Sequence, residues 1–189
     1  MNQAAHKTLI IGGARSGKSQ HAVELAQKAN ASPVLIATAQ AGDAEMAARI
    51  ARHKAERPTG WQVVEEPLRL AEALGLWAHP KRIVVVDCAT LWLCNLIESG
   101  ADVAMAREGL IEAARQVCGP VVFVSNEVGL GIVPGTELGR LFRDEQGILN
   151  QTLARVCDTV VFMAAGLPLH LKPSQALPAA GVGQSRPSE

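Results

Sequence analysis

Short apolar runs rich in β-branched residues recur along the chain, at Thr8 to Ile11, Val34 to Thr38, Ile83 to Val86, Val121 to Ser125 and Thr159 to Met163. Near-continuous apolar runs of this length predict strands covered on both faces, the environment of a parallel sheet. Between them the period changes. Ala22, Leu25, Ala26 and Ala29 fall at i, i+3, i+4 and i+7, one stripe of a helix. Leu138, Leu141, Ile148, Leu149, Leu153 and Val156 predict one long helix or two short ones. Strands that alternate with helices need crossover connections, so the pattern predicts a three-layer α/β domain, its sheet mostly parallel, with helices on both faces.

Two segments are less regular. Asp43 is a good N-cap for a helix running to about Glu56, and Arg57-Pro58-Thr59-Gly60 ends it, because the residue before a proline avoids helical angles. Trp61 to Glu65 then reads as a short strand. After Met163, Ala164-Ala165-Gly166-Leu167-Pro168 turns the chain into Leu169 to Lys172, an antiparallel edge strand and so an edge hairpin. Residues 1–172 form a single domain on this reading. From Pro173 to Glu189 eight of 17 residues are Pro, Gly or Ser, the composition of a loose, disordered tail.

Composition narrows the partners. Hydrophobic residues make up 48% of the 189 positions and charged residues 19%, too apolar for intrinsic disorder. Eighteen basic and eighteen acidic side chains balance, so no bulk charge invites nucleic acid or an anionic membrane. With three Phe, three Trp and no Tyr, an aromatic platform for single-stranded nucleic acid is not expected either. Cys88, Cys94, Cys118 and Cys157 form no C-x-x-C pair and lie in apolar segments, where they read as reduced core thiols. No run approaches the roughly 18 apolar residues of a membrane helix, and a cytoplasmic location is expected.

Gly12-Gly13-Ala14-Arg15-Ser16-Gly17-Lys18-Ser19 matches G-x-x-x-x-G-K-[ST], placed after the first predicted strand and before a helix. The glycines let backbone N–H groups turn toward phosphate oxygens, and the helix N-terminus adds positive potential. Lys18, taken as solvent-facing, reaches the β/γ-phosphates, and the Ser19 hydroxyl is a ligand for Mg²⁺. A nucleoside triphosphate is the expected ligand. Ile83-Val84-Val85-Val86-Asp87 is a strand ending in a carboxylate, which beside such a loop completes the Mg²⁺ site; alone, Asp87 reads equally well as a helix cap.

These features are common to kinases, switches and motors. The segment from Arg49 to Glu66 is more distinctive. Met46, Ile50 and His53 share one helical stripe, and Arg49, Arg52, Lys54 and Arg57 surround His53 with cations suited to phosphates. On spacing alone His53 reads as a packed core histidine, and the cations as a solvated helix face. Asn126-Glu127-Val128-Gly129-Leu130-Gly131 follows a strand, where Asn126 and Glu127 are either substrate-side groups or part of a glycine-held turn.

Taken together, GGARSGKS, Ile36-Ala37-Thr38, the EMAARIxxHK segment with Trp61, VVVDCATLWLCNL, SNEVGLGIVP and FRDEQGILNQ resemble the bifunctional adenosylcobinamide kinase / adenosylcobinamide-phosphate guanylyltransferase family of cobalamin biosynthesis, over about residues 8 to 172. The resemblance implies a RecA-like P-loop fold and a homotrimer. It implies two reactions: ATP or GTP phosphorylates the aminopropanol hydroxyl of adenosylcobinamide, and a guanylylated histidine then passes GMP to the phosphate product. His53 matches that histidine, with Lys18 the other catalytic position. Ala37, Thr38, Ala39, Lys54, Ala55, Glu56, Arg57 and Glu65 match nucleotide-binding positions, and Asp87 an acidic one. Arg52 stands where some relatives carry a second histidine. The rival readings are a single-activity P-loop kinase for another small alcohol and a nucleotide-dependent switch.

Overall fold

The computed structural model describes residues 5–40 and 60–172. The predicted helix from Asp43 to Glu56 and the tail from Pro173 to Glu189 lie outside the described residues, and with them the site positions His53, Lys54, Ala55, Glu56 and Arg57. Seven strands form one sheet: β1 (Lys7–Gly12), β2 (Ser32–Ala37), β3 (Gln62–Glu65), β4 (Arg82–Asp87), β5 (Val121–Asn126), β6 (Thr159–Ala164) and β7 (Leu167–Lys172). Their order across the sheet is β3-β2-β4-β5-β1-β6-β7, parallel throughout except for β7 against β6. The edge hairpin is therefore present, and its turn is tighter than the sequence suggested. Ala165 and Gly166 both have positive φ, 51° and 80°, as a two-residue turn matched to strand twist requires.

The five described helices are α1 (Lys18–Lys28), α2 (Leu70–Trp77), α3 (Ala89–Ser99), α4 (Val103–Gln116) and α5 (Glu137–Val156). Of these five helices α1 alone covers one face, where Ala22 and Ala26 meet Ile10, Val85, Val122, Val124, Val161 and Met163. The other four cover the opposite face around Leu9, Val84, Val86, Trp92, Phe123 and Leu149. α5 is one continuous helix of 20 residues, capped by the Thr136 side chain. Only part of its predicted stripe is core: Leu149 and Leu153 are buried, while Leu138, Leu141 and Ile148 are exposed. The core-thiol reading needs the same correction, since Cys88 and Cys157 are buried but Cys94 is half-buried and Cys118 exposed. Cys118 lies in the short link from α4 to β5, where the chain runs over the surface. Among the described residues no helix is long and apolar enough to cross a membrane.

Candidate nucleotide site at the carboxyl edge of the sheet

β1 runs directly into the phosphate loop. Gly12 has φ 154°, and a Cβ there would collide with the Met163 carbonyl oxygen of β6. Gly17 has φ 95° and lies so near the hairpin turn that its Cβ would meet Gly166 Cα at 3.3 Å. Both positions thus need glycine for conformation and for space. Gly17 is also the N-cap of α1 and offers no side chain to its first turn, so those amides stay available to a ligand. The turn braces the loop from outside, because Gly166 N–H donates to Ser16 O at 3.1 Å.

Ala14 and Arg15 are exposed at the loop's tip, Ser16 is buried, and Gly13 and Ser19 are intermediate. Lys18 is only 7% exposed. Its ammonium lies within the loop, donating to Gly13 O at 2.6 Å and to Ser16 Oγ at 3.5 Å. This corrects the solvent-facing expectation: the lysine begins a helix packed on the sheet, and the loop's own carbonyl draws its charge inward.

Strand alternation decides what else the edge presents. Ile10 packs toward α1 and Leu9 away from it, so Gly12 returns to the α1 face. The same count runs from Val85 to Asp87, from Val124 to Asn126 and from Leu35 to Ala37, and Val64, on the other face, leaves Glu65 on this one. Read across the carboxyl edge, one face offers Glu65, Ala37, Asp87, Asn126 and Gly12 in that order. Asp87 ends a strand that is not paired with β1, since β5 intervenes between β4 and β1. The site's charges still converge. The Cys88 thiol, pushed up to about 12 by burial and by the neighbouring Asp87 carboxylate, also feels the opposing field of Lys18.

Thr38 is fully buried. Its hydroxyl donates to Cys88 O at 2.7 Å and accepts from Cys88 N–H at 2.9 Å, tying the end of β2 to the residue after Asp87. Asn95 Nδ2 in turn donates to Thr38 O at 2.8 Å and Pro67 O at 3.0 Å. Ala39 follows, half-buried.

A buried polar cluster under the end of β5 has no counterpart in the site residues proposed from sequence. Thr90, Ser125, Gln146 and Asn150 are each 7% exposed or less. Gln146 Nε2 donates to Ser125 Oγ at 2.9 Å and Asn150 Oδ1 at 3.0 Å, and Ser125 Oγ donates to Asn150 Oδ1 at 2.6 Å. A signal was present: Gln146 and Asn150 are polar residues at i and i+4 on the stripe that carries Leu149 and Leu153.

The family described as cobinamide kinase / cobinamide phosphate guanyltransferase matches residues 8–171. The bifunctional adenosylcobalamin biosynthesis protein CobP of Pseudomonas aeruginosa is 48% identical over 168 residues, 88% of this chain and 97% of that protein. The CobU proteins of Escherichia coli and Salmonella typhimurium, with the same description, are each 39% identical over 87% of this chain and 98% of their own length. A solved protein of Pyrococcus horikoshii OT3 shares the fold, with TM-score 0.53, 7% identity, and coverage of 91% of this chain and 88% of the other. The phosphate loop, the row of residues beside it and the extent of these matches show that the chain belongs to the cobinamide kinase / cobinamide phosphate guanyltransferase family.

Proposed function

We propose that the phosphate loop holds ATP or GTP as phosphate donor for the aminopropanol hydroxyl of adenosylcobinamide, and that His53 carries GMP to the resulting phosphate. The observation that supports the kinase half is that α1, which opens with Lys18 and Ser19, covers the face of the sheet on which Asp87 ends β4. In the first reaction the hydroxyl oxygen bonds to the γ-phosphorus as the bond to the β–γ bridging oxygen breaks. The nucleoside diphosphate leaves with that electron pair, and the hydroxyl proton passes to solvent. Lys18 and the loop amides bind the phosphates and take up the charge that builds during transfer.

Ser19 and Asp87 fit a Mg²⁺ ion. Both offer hard oxygen donors, one a hydroxyl and one a carboxylate. That suits a cation held by one or two protein oxygens, nucleotide phosphates and water. When bound, Mg²⁺ supplies neutralisation of phosphate charge.

In the second reaction neutral His53 attacks the α-phosphorus of GTP, a P–N bond forms, and pyrophosphate departs. A phosphate oxygen of the cobinamide phosphate then takes the GMP and the imidazole leaves. The resemblance supports this step, together with the cations Lys54 and Arg57 flanking His53. It also supports nucleotide contacts along Lys54, Ala55, Glu56 and Arg57, a homotrimer and a cytoplasmic location.

The test is incubation with GTP labelled at the α-phosphate and Mg²⁺, followed by mass analysis of the intact protein. One added GMP is expected, acid-labile and comparatively stable in base, absent from His53→Ala while that variant retains kinase turnover. A folded His53→Ala protein that still accumulates the label would remove His53 from the reaction, and a wild type that never forms an adduct would remove the covalent mechanism.

A further inference from the structure

We propose that the Asn126 carboxamide donates a hydrogen bond to the phosphoryl group as it moves from nucleotide to cobinamide, and that the buried side chains Thr90, Ser125, Gln146 and Asn150 position it there. This rests on the phosphate loop being the kinase's donor site. β5 is the strand inserted between the one that leads into the phosphate loop and the one that ends in Asp87. Asp87 pairs with Val124, so β5 runs two residues further, and its last residue pairs with Gly12. Alternation from Val122 and Val124 turns the Asn126 side chain to the α1 face, that of the loop and Asp87. It thus lies between the group that cradles phosphates and the carboxylate assigned to the cation.

The main chain of Asn126 is held by side chains on both sides. Its N–H donates to Thr90 Oγ1 at 2.7 Å, and its C=O accepts from Asn150 Nδ2 at 2.9 Å. The next peptide is tied to the loop itself, with Glu127 N–H donating to Gly12 O at 3.0 Å. Thr90 Oγ1 lies 3.5 Å from Ser125 Oγ, which joins the two clamps into one network with Gln146. Burying that many polar groups gives less stability than an apolar core of the same shape would, and among the described residues Gln146 Oε1 even lacks a partner. What the network delivers is one backbone position at the sheet's edge. The half-buried carboxamide carried there makes no hydrogen bond of its own among the described residues.

A neutral donor suits that place. Three phosphoryl oxygens share the negative charge of the transfer, and a carboxylate in the same position would repel them. In the transfer the bonds made and broken are those of the kinase reaction above, and Asn126 emerges unchanged.

The experiment compares the wild-type protein with Asn126→Ala, Asn126→Asp and Lys18→Ala. It reads kinase kcat and KM for ATP, nucleotide affinity from a fluorescent ATP analogue, and Tm. Removing the donor should lower kcat by roughly 10²-fold with ATP KM and Tm nearly unchanged, as loss of one preorganised transition-state donor does. Asn126→Asp should be slower still. A packing role predicts the reverse order, since aspartate is nearly isosteric with asparagine, and predicts that any loss follows Tm. Asn126→Ala turnover close to wild type, or Asn126→Asp faster than Asn126→Ala, would overturn the assignment. Lys18→Ala separates the layers: if it keeps its turnover the donor-site reading fails, and if it is inactive while Asn126→Ala is not, only the role of Asn126 falls.

Discussion

At the scale of single residues, the four cysteines show how environment divides one side-chain type. Burial beside a carboxylate pushes the Cys88 and Cys157 thiols up to about 12, so at neutral pH almost none of either is thiolate. Cys94 shifts upward too, by burial and by the Glu98 carboxylate it bonds. Cys118 is exposed. A thiol reagent at neutral pH should therefore label Cys118 first and Cys94 more slowly, with Cys88 and Cys157 modified only after unfolding. Peptide mapping of partly labelled native protein checks the order, and early labelling of Cys88 would show that the end of β4 opens. Gly12 makes a parallel point: the motif requires a glycine there, but only the Met163 carbonyl shows which contact enforces it.

Among elements, α5 does two jobs with one face. Leu149 and Leu153 seal the core, while Gln146 and Asn150 leave the same stripe to hold the end of β5. The two polar residues should not be equally important for stability. Gln146→Met removes two hydrogen bonds, each worth about 1 kcal/mol, but also removes the orphaned Oε1, whose burial costs about 1–3 kcal/mol, so the change should be close to neutral. Asn150→Ala leaves Asn126 O, the Ser125 hydroxyl and the Gln146 amide each short of a partner, and should cost about 3 kcal/mol or more. Denaturant midpoints of the two variants check this ordering. A Gln146→Met protein destabilised as much as Asn150→Ala would mean that Oε1 has a partner, such as a bound water.

On the scale of the whole molecule, six parallel strands bring the ends of distant segments to one edge, and the covering helices bury the central strands on both faces. The family match ends at residue 171, just before the segment Pro173 to Glu189. With little apolar side-chain area, that segment has little with which to offset the entropy of ordering it. Its deletion is expected to shift Tm by no more than about 2 °C, the effect of roughly 0.5 kcal/mol in a domain of this size, and to leave both activities intact. A thermal melt and paired assays of the truncated protein test this, and a larger loss would show that the segment packs or contributes to the site.

Periodicity along the chain was enough for the strands, α1, the edge hairpin and the α/β class, because burial on both faces writes continuous apolar runs and burial on one face writes a stripe. The phosphate loop was legible because its chemistry is local: eight consecutive residues supply the glycines, the lysine and the hydroxyl. α2 and α3 carried less distinct signals, since Leu70 and Trp92 sit among other apolar residues rather than on clean stripes, whereas α4 does have a stripe, in Val103, Ala106, Leu110, Ala114 and Val117, that went unassigned. Strand order could not be read at all, as it depends on which helix crosses which face. It is strand order that inserts β5 between Asp87 and Gly12, and so sets Asn126 between them. The clamp on Asn126 joins residues 90, 125, 146 and 150, far apart in sequence, by hydrogen bonds that form only when α3 and α5 pack on the same face of the sheet. No linear pattern records that coincidence, because each of those polar residues, read alone, is an ordinary member of a helix or strand.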